Sequence, residues 1–176
     1  MKRRTERAVL AACVAGLLSM NMRGAQSASA REDPYAALKL YDGKWLVMSS
    51  GGPPEGIHLE NHCAKTGLFF ACEQLVDGKT VALVVFRPTT KLPGGGQEYR
   101  SQALTPEDGP SGGWNGLTIE GDRWVYTWDA TESGKKVFYR NINTFSGSDK
   151  IHFEIQNSDD GKTWKKQKDG DEARQK

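Results

Sequence analysis

The chain has little of what membrane anchors and common catalysts require. No apolar run approaches the roughly 20 residues of a membrane-spanning helix; the longest covers residues 8–20. No Gly-x-Ser-x-Gly elbow is present, which removes one common setting for a nucleophilic serine. Gly94-Gly95-Gly96 lacks the Lys-Ser/Thr pair and the following helix that a phosphate-cradling loop needs. Helical periodicity is not sustained beyond residue 41, so helix-rich folds are excluded. Histidine occurs three times and cysteine three times.

Those few metal-capable residues are poorly spaced. His58, Glu60 and His62 share one face of an extended segment. The two histidines are then about 13 Å apart at the usual strand rise. One zinc ion, with bonds of about 2.0–2.1 Å, cannot take both. A solvated strand face is expected, with no metal and no cofactor. Paired acids such as Asp159-Asp160 and Asp169/Asp171 fall in turns or near the end of the chain, where solvent keeps them ordinary. The sequence supports no catalytic residue, and any triad would be speculative.

What is present begins with a three-part leader. Lys2, Arg3, Arg4 and Arg7 precede the apolar run, and Ala28-Ser29-Ala30 offers small residues for cleavage. Residues 1–30 therefore read as a cleaved signal peptide of a periplasmic or secreted protein. Leu10-Ala11-Ala12-Cys13 resembles a lipid-attachment box, but only three apolar residues precede Cys13, so lipid anchoring is not expected. Residues 1–30 hold five of the 24 Lys and Arg and one of the 22 Asp and Glu, leaving 19 against 21, a net of −2. The basic balance of the whole chain thus comes from the leader, and no nucleic-acid footprint remains.

Residues 31–176 read as a single all-β domain. The short helix candidate spans 33–40, with Asp33 as N-cap and Pro34 at the first helical position. After it, strand-like runs recur near 43–50, 57–64, 68–76, 79–88, 97–104, 114–120, 123–130, 135–143, 150–157 and 163–170. Asp77-Gly78 and Gly121-Asp122 suit two-residue hairpins; Ser133-Gly134, Gly147-Ser148 and Asp160-Gly161 resemble them. Parallel strands would need crossovers for which the second half has no room. An antiparallel up-and-down meander leaves two raw edges unless it closes, so a barrel of about 8–10 strands is expected, with a two-sheet sandwich as the competitor.

Register follows from the turns. If Gly67-Leu68 is the reversal, Cys63 faces Cys72 and a cross-strand disulfide is feasible; a Thr66-Gly67 reversal would set Cys63 opposite Phe70 instead. An even pair of cysteines in an exported chain favours the bridge. In the second half, Trp124, Tyr126 and Trp128 alternate onto one face. The Gly121-Asp122 and Ser133-Gly134 turns bring Asn143, Asn141 and Tyr139 opposite them. A two-residue Gly147-Ser148 turn would add His152, Glu154 and Gln156 to that face and put Phe138, Ile142, Ile151, Phe153 and Ile155 on the other. Trp124, Tyr126, Trp128, Tyr139, Asn141 and Asn143 are thus the candidate ligand-binding residues, with ordinary core packing as the alternative. Runs 68–76 and 79–87 are apolar on both faces. The Asp77-Gly78 turn groups Phe69, Ala71, Leu75, Val84 and Phe86 against Phe70, Cys72, Leu83 and Val85. The outer side then needs cover, from the helix at 34–40, a rim loop or a second subunit.

Tyr41-Asp42-Gly43-Lys44-Trp45 carries the Gly-x-Trp opening of lipocalin-like (calycin) barrels. Together with Phe69-Phe70-Ala71-Cys72-Glu73-Gln74, Glu120-Gly121-Asp122-Arg123-Trp124, Tyr139-Arg140, Asn143, Phe145-Ser146-Gly147, Asp160-Gly161 and Trp164, it resembles bacterial exported proteins of unknown function grouped with those barrels. The resemblance implies the fold and no activity. It also implies an Arg from the last strand lying over the first-strand Trp, here Arg174 over Trp45 as a structural lid. The expected function is binding of a small amphipathic ligand without catalysis, by a monomer or weak homodimer. The alternatives are an envelope interaction protein with a filled core, recognising partners through 89–96 and 105–113, and an enzyme using a lumen Glu, Tyr or His.

Overall fold

Short strands separated by glycine reversals can satisfy every backbone group by pairing with sequence neighbours, provided the first strand also meets the last. The computed structural model, which describes residues 32–106, 109–110 and 113–176, shows this closure. The strands are β1 (Gly43–Ser49), β2 (Ile57–Thr66), β3 (Phe69–Val76), β4 (Lys79–Lys91), β5 (Gln97–Thr105), β6 (Gly109–Pro110), β7 (Asn115–Glu120), β8 (Arg123–Glu132), β9 (Lys135–Ser146), β10 (Lys150–Ser158) and β11 (Lys165–Arg174). The two-residue β6 pairs with β5 alone. The other ten run β4-β3-β2-β1-β11-β10-β9-β8-β7-β5, and β5 pairs back onto β4. All pairs are antiparallel. Those ten strands form a closed up-and-down barrel in which each pairs with a neighbour on both sides; the sandwich is ruled out. The signal peptide expected at 1–30 lies outside the described residues, as does part of the 105–113 loop.

Three reversals behave as their glycines suggest. Asp77-Gly78 and Ser133-Gly134 both take positive φ at both positions, and Gly121 takes φ +60° at the first position of its turn. Those conformations match the twist of a two-residue hairpin. Gly67-Leu68 is the reversal between β2 and β3, so Cys63 faces Cys72 and the disulfide forms with Cα atoms 4.0 Å apart.

Elsewhere one extra residue changes which side faces in. Between β9 and β10 the loop holds Gly147, Ser148 and Asp149, and Lys150 pairs with Ser146. Parity therefore reverses relative to the two-residue reading. Ile151, Phe153 and Ile155 enter the lumen opposite Phe145, Asn143 and Asn141. His152, Glu154 and Gln156 go outside; His152 pairs there with Asp171 at 2.8 Å. In β4 a bulge at Val81 shifts the register against β3. Phe70, Cys72, Val84 and Phe86 then share the lumen, and Phe69, Ala71, Leu83 and Val85 face out. The expected grouping of these two strands is corrected accordingly.

The expected α-helix over 33–40 is also corrected. No α-helix occurs among the described residues; Pro34–Ala36 form a turn, followed by a 3-10 helix at Ala37–Tyr41. Eight residues are too few to repay α-helix nucleation, and the tighter 3-10 form suits short pieces. Asp33 caps the turn rather than a helix, through Tyr35 N–H at 3.1 Å. The segment does not cover the outer wall. It plugs one end of the barrel, with Tyr35 and Leu38 buried, and Tyr35 Oη donates to the Leu68 carbonyl at 2.6 Å. Phe69, Val81 and Leu83 remain exposed outside, and Leu68 is 80% exposed.

The plugged end forms a filled floor. Trp45, Trp124, Phe145, Leu117, Ile151 and the plug residues belong to one buried cluster. The Cys63–Cys72 bridge ties β2 to β3 on the lumen side, where Cys72 is 2% exposed. It closes a loop with a sequence separation of 9. Chain-entropy arguments give such a loop about 2.5–3 kcal/mol. The Cys63→Ala/Cys72→Ala variant should therefore melt about 8–10 °C below the native protein; thermal melts with and without reductant check this, and unchanged melting would show that the bridge carries no stability.

Candidate functional site

Above the floor the side chains become smaller or polar, and the barrel does not fill. The space is a cavity of about 400 Å³, within the size range of small-molecule sites. Val84 and Phe86 from β4 and Ala103 from the neighbouring β5 form an apolar arc, and Ile155 from β10 stands apart from it, beside Asn141. Tyr126 and Trp128 from β8, Asn141 from β9, Asn115 from β7 and Tyr41 from the plug form an arc of rings and hydrogen-bonding groups. Gln74, Ser101 and the bridged Cys72 complete the wall, which includes no charged side chain among its described residues.

The polar arc is partly self-satisfied. Tyr41 Oη accepts from Asn143 Nδ2 and is hydrogen-bonded to Tyr126 Oη. Burial raises both phenols well above the ordinary tyrosine range, so both stay protonated. Tyr41 also packs its ring 5.1 Å from that of Trp124. Gln74 Nε2 donates to Asn61 Oδ1 at 3.1 Å. Four buried polar atoms have no partner among the described residues: Asn61 Nδ2, Asn141 Oδ1, Asn143 Oδ1 and Glu172 Oε2. Glu172 faces inward opposite Ile151 and Val47. Loss of hydration raises its carboxyl to about 7, and its charge is felt by both phenols.

The six candidate residues share the lumen face but not one site. Their cross-strand pairs are Trp124 with Asn143, Tyr126 with Asn141 and Trp128 with Tyr139. Tyr126, Trp128 and Asn141 line the cavity. Trp124 and Asn143 lie in the floor, fully buried. Tyr139 stacks on Trp128 at 5.4 Å between centroids, and its hydroxyl donates to the Glu132 carboxylate. At the seam, the Arg174 guanidinium lies 4.2 Å from the Trp45 ring centroid.

Several wall residues went unselected in the sequence: Tyr41, Gln74, Ser101, Asn115 and, behind the wall, Glu172. Asn115 and Ser101 face each other across β5 and β7, a pairing reached only through the loop 106–114. Glu172 looks like one more acid in a charged tail. A bulge at Gln167 between β10 and β11 hides its inward direction. His58, His62 and His152 are exposed outside; His62 Nε2 pairs with Glu60 Oε1 at 2.9 Å. Among the described residues no group of three His, Cys, Asp or Glu could hold a metal ion, and no helix is long and apolar enough to cross a membrane.

No family model matches the chain, and no curated protein matches it. Among solved structures, it is similar to the crystal structure of Rv2717c from M. tuberculosis, with a TM-score of 0.47 and 18% identity over 81% of this chain and 98% of that one.

Proposed function

We propose that this chain is an exported lipocalin-like protein that holds a small, partly apolar molecule in its lumen and releases it unchanged. The observation that carries the reading is the cavity of about 400 Å³, apolar on one arc and lined by phenol, indole and carboxamide groups on the other. Such a wall buries a hydrophobic body and orients it with a few polar contacts. The disposition of reactive groups favours binding over catalysis: Cys72 is bridged, and all three histidines stand exposed on the outer wall, away from Ser101. A disulfide that persists favours an oxidising compartment outside the cytosol. The same reading takes the protein as a monomer or a weak homodimer, with the outer stripe of Phe69, Val81 and Leu83 as the surface a second copy would cover.

Native mass spectrometry of gently purified protein tests the reading. A bound small molecule should be lost on denaturation, and Ala103→Trp, which fills the cavity from β5, should abolish its retention. An empty lumen together with failure to take up any of a panel of small amphipathic molecules would overturn it.

A further inference from the structure

On the outer wall, Arg87 of β4 and Arg100 of β5 stand directly opposite each other. Their neighbours Phe86 and Ser101 line the lumen, and alternation sends the two guanidiniums outward, where both are exposed. Like charges directly opposite on paired strands are unfavourable. Among the described residues neither guanidinium has a hydrogen bond or an ion pair to offset this. Other cations of the wall are matched: Lys44 with Glu60, Lys136 with Asp129 and Lys166 with Asp169. Glu98, two residues before Arg100 on the same face, lines an adjoining hollow and pairs with neither arginine. Trp114 stands beside the two arginines, 46% exposed, just before β7. No ring or cation of a described residue lies against its face. The hollow that these three side chains line has a volume of about 400 Å³.

We infer that Arg87, Arg100 and Trp114 form a second binding site, on the outer wall and independent of the lumen, for a soluble phosphate monoester carried on an aromatic ring. The planar fork of a guanidinium matches phosphate oxygens with two parallel hydrogen bonds. A phosphate monoester carries close to two negative charges at neutral pH, so one such group answers both arginines and turns their repulsion into attraction. A carboxylate, with a single charge, answers only one. The ring of the ligand covers the open indole face of Trp114, which removes apolar surface from water and adds a stacking contact. Pairing of β4 with β5 fixes the spacing of the two arginines before anything binds, which lowers the ordering cost of binding.

Three probes titrated into the whole protein at pH 7.5 and low salt test this: phenyl phosphate, inorganic phosphate and benzoate, each followed through the NMR signal of the Trp114 indole N–H. Phenyl phosphate should shift that signal saturably and bind about 10-fold more tightly than either of the others, since only it offers both the ring and the double charge. Added salt should weaken it, as for any exposed charge contact. Arg87→Gln and Arg100→Gln should each weaken phenyl phosphate about 10-fold. The ranking of the probes is read on the native protein, so it stands even where a variant fails to fold. Phenyl phosphate no tighter than inorganic phosphate or benzoate, or an indole signal that does not move, would overturn the inference. So would binding confined to vesicles that contain phosphatidic acid, which would make the site a membrane contact instead. None of these outcomes bears on lumen binding, which the cavity-filling variant at Ala103 tests separately.

Discussion

Replacing Trp45 with alanine should cost about 3–5 kcal/mol, the range for deleting a large buried aromatic. Trp45 is 1% exposed in the floor at the seam where β1 meets β11. Its indole N–H donates to the Tyr41 carbonyl at 3.1 Å, which also fastens the plug. Arg174 stacks over the ring and donates to three carbonyls, Leu40 at 2.7 Å, Asp42 at 2.6 Å and Ser148 at 2.9 Å. Arg174→Ala loses the stacking and leaves those carbonyls short of a donor, at about 2–4 kcal/mol. Arg174→Lys should recover little, because an ammonium reproduces neither the planar stack nor the fork of donors. Both truncations remove the same contact, so the double variant should fall short of the sum by about 1–2 kcal/mol. Urea denaturation of the four proteins checks this; strict additivity would show that the ring and the guanidinium act independently. The same contact explains the Gly of Gly-x-Trp. Gly43 has φ +114°, and a Cβ there would lie 2.6 Å from Arg174 Nη1, so a side chain is excluded on both counts.

Glu172→Gln should stabilise the protein by about 3 kcal/mol at pH 8.5 and by almost nothing at pH 4, from the shift between the ordinary carboxyl value and about 7. The sign follows from linkage. The folded protein holds this proton more tightly than the unfolded chain, because burial disfavours the carboxylate. The group's contribution is therefore fully present below about 4.5 and is lost as pH rises through about 7. Glutamine resembles the protonated acid and cannot ionise, so the difference between variant and native stability should climb across that window and level off above it. Denaturation midpoints from pH 4 to 8.5 read this directly. A difference that stays flat with pH would mean the carboxylate is hydrated in the folded protein.

Local chemistry made much of the scaffold legible before any coordinates. Asp77-Gly78, Gly121-Asp122 and Ser133-Gly134 each name a two-residue reversal, because glycine adopts positive φ at little cost. From those turns come the pairings of Trp124 with Asn143 and Tyr126 with Asn141. Cys63 and Cys72 left two registers open, and the Gly67-Leu68 reversal selects the bridged one. What misled was parity. Val81 and Asp149 are ordinary residues, yet each is the one extra residue that turns neighbouring side chains from one side of the sheet to the other. Nothing in the local sequence marks Val81 as a bulge; it arises because β4 must follow both β3 and β5 around a closed wall.

Composition and glycine placement were thus sufficient for an antiparallel all-β chain of short hairpins, since turn conformation is governed by a few neighbouring residues. Closure settled the rest. Once β1 meets β11, the barrel has an inside, and every strand must present one face to it. Closure separates a filled floor around Trp45 and Trp124 from a cavity beside Trp128 and Asn141, and it buries the Glu172 carboxyl that the sequence presents as one more tail acid. Burial is set by what lies across the lumen, and those contacts join residues far apart in the chain.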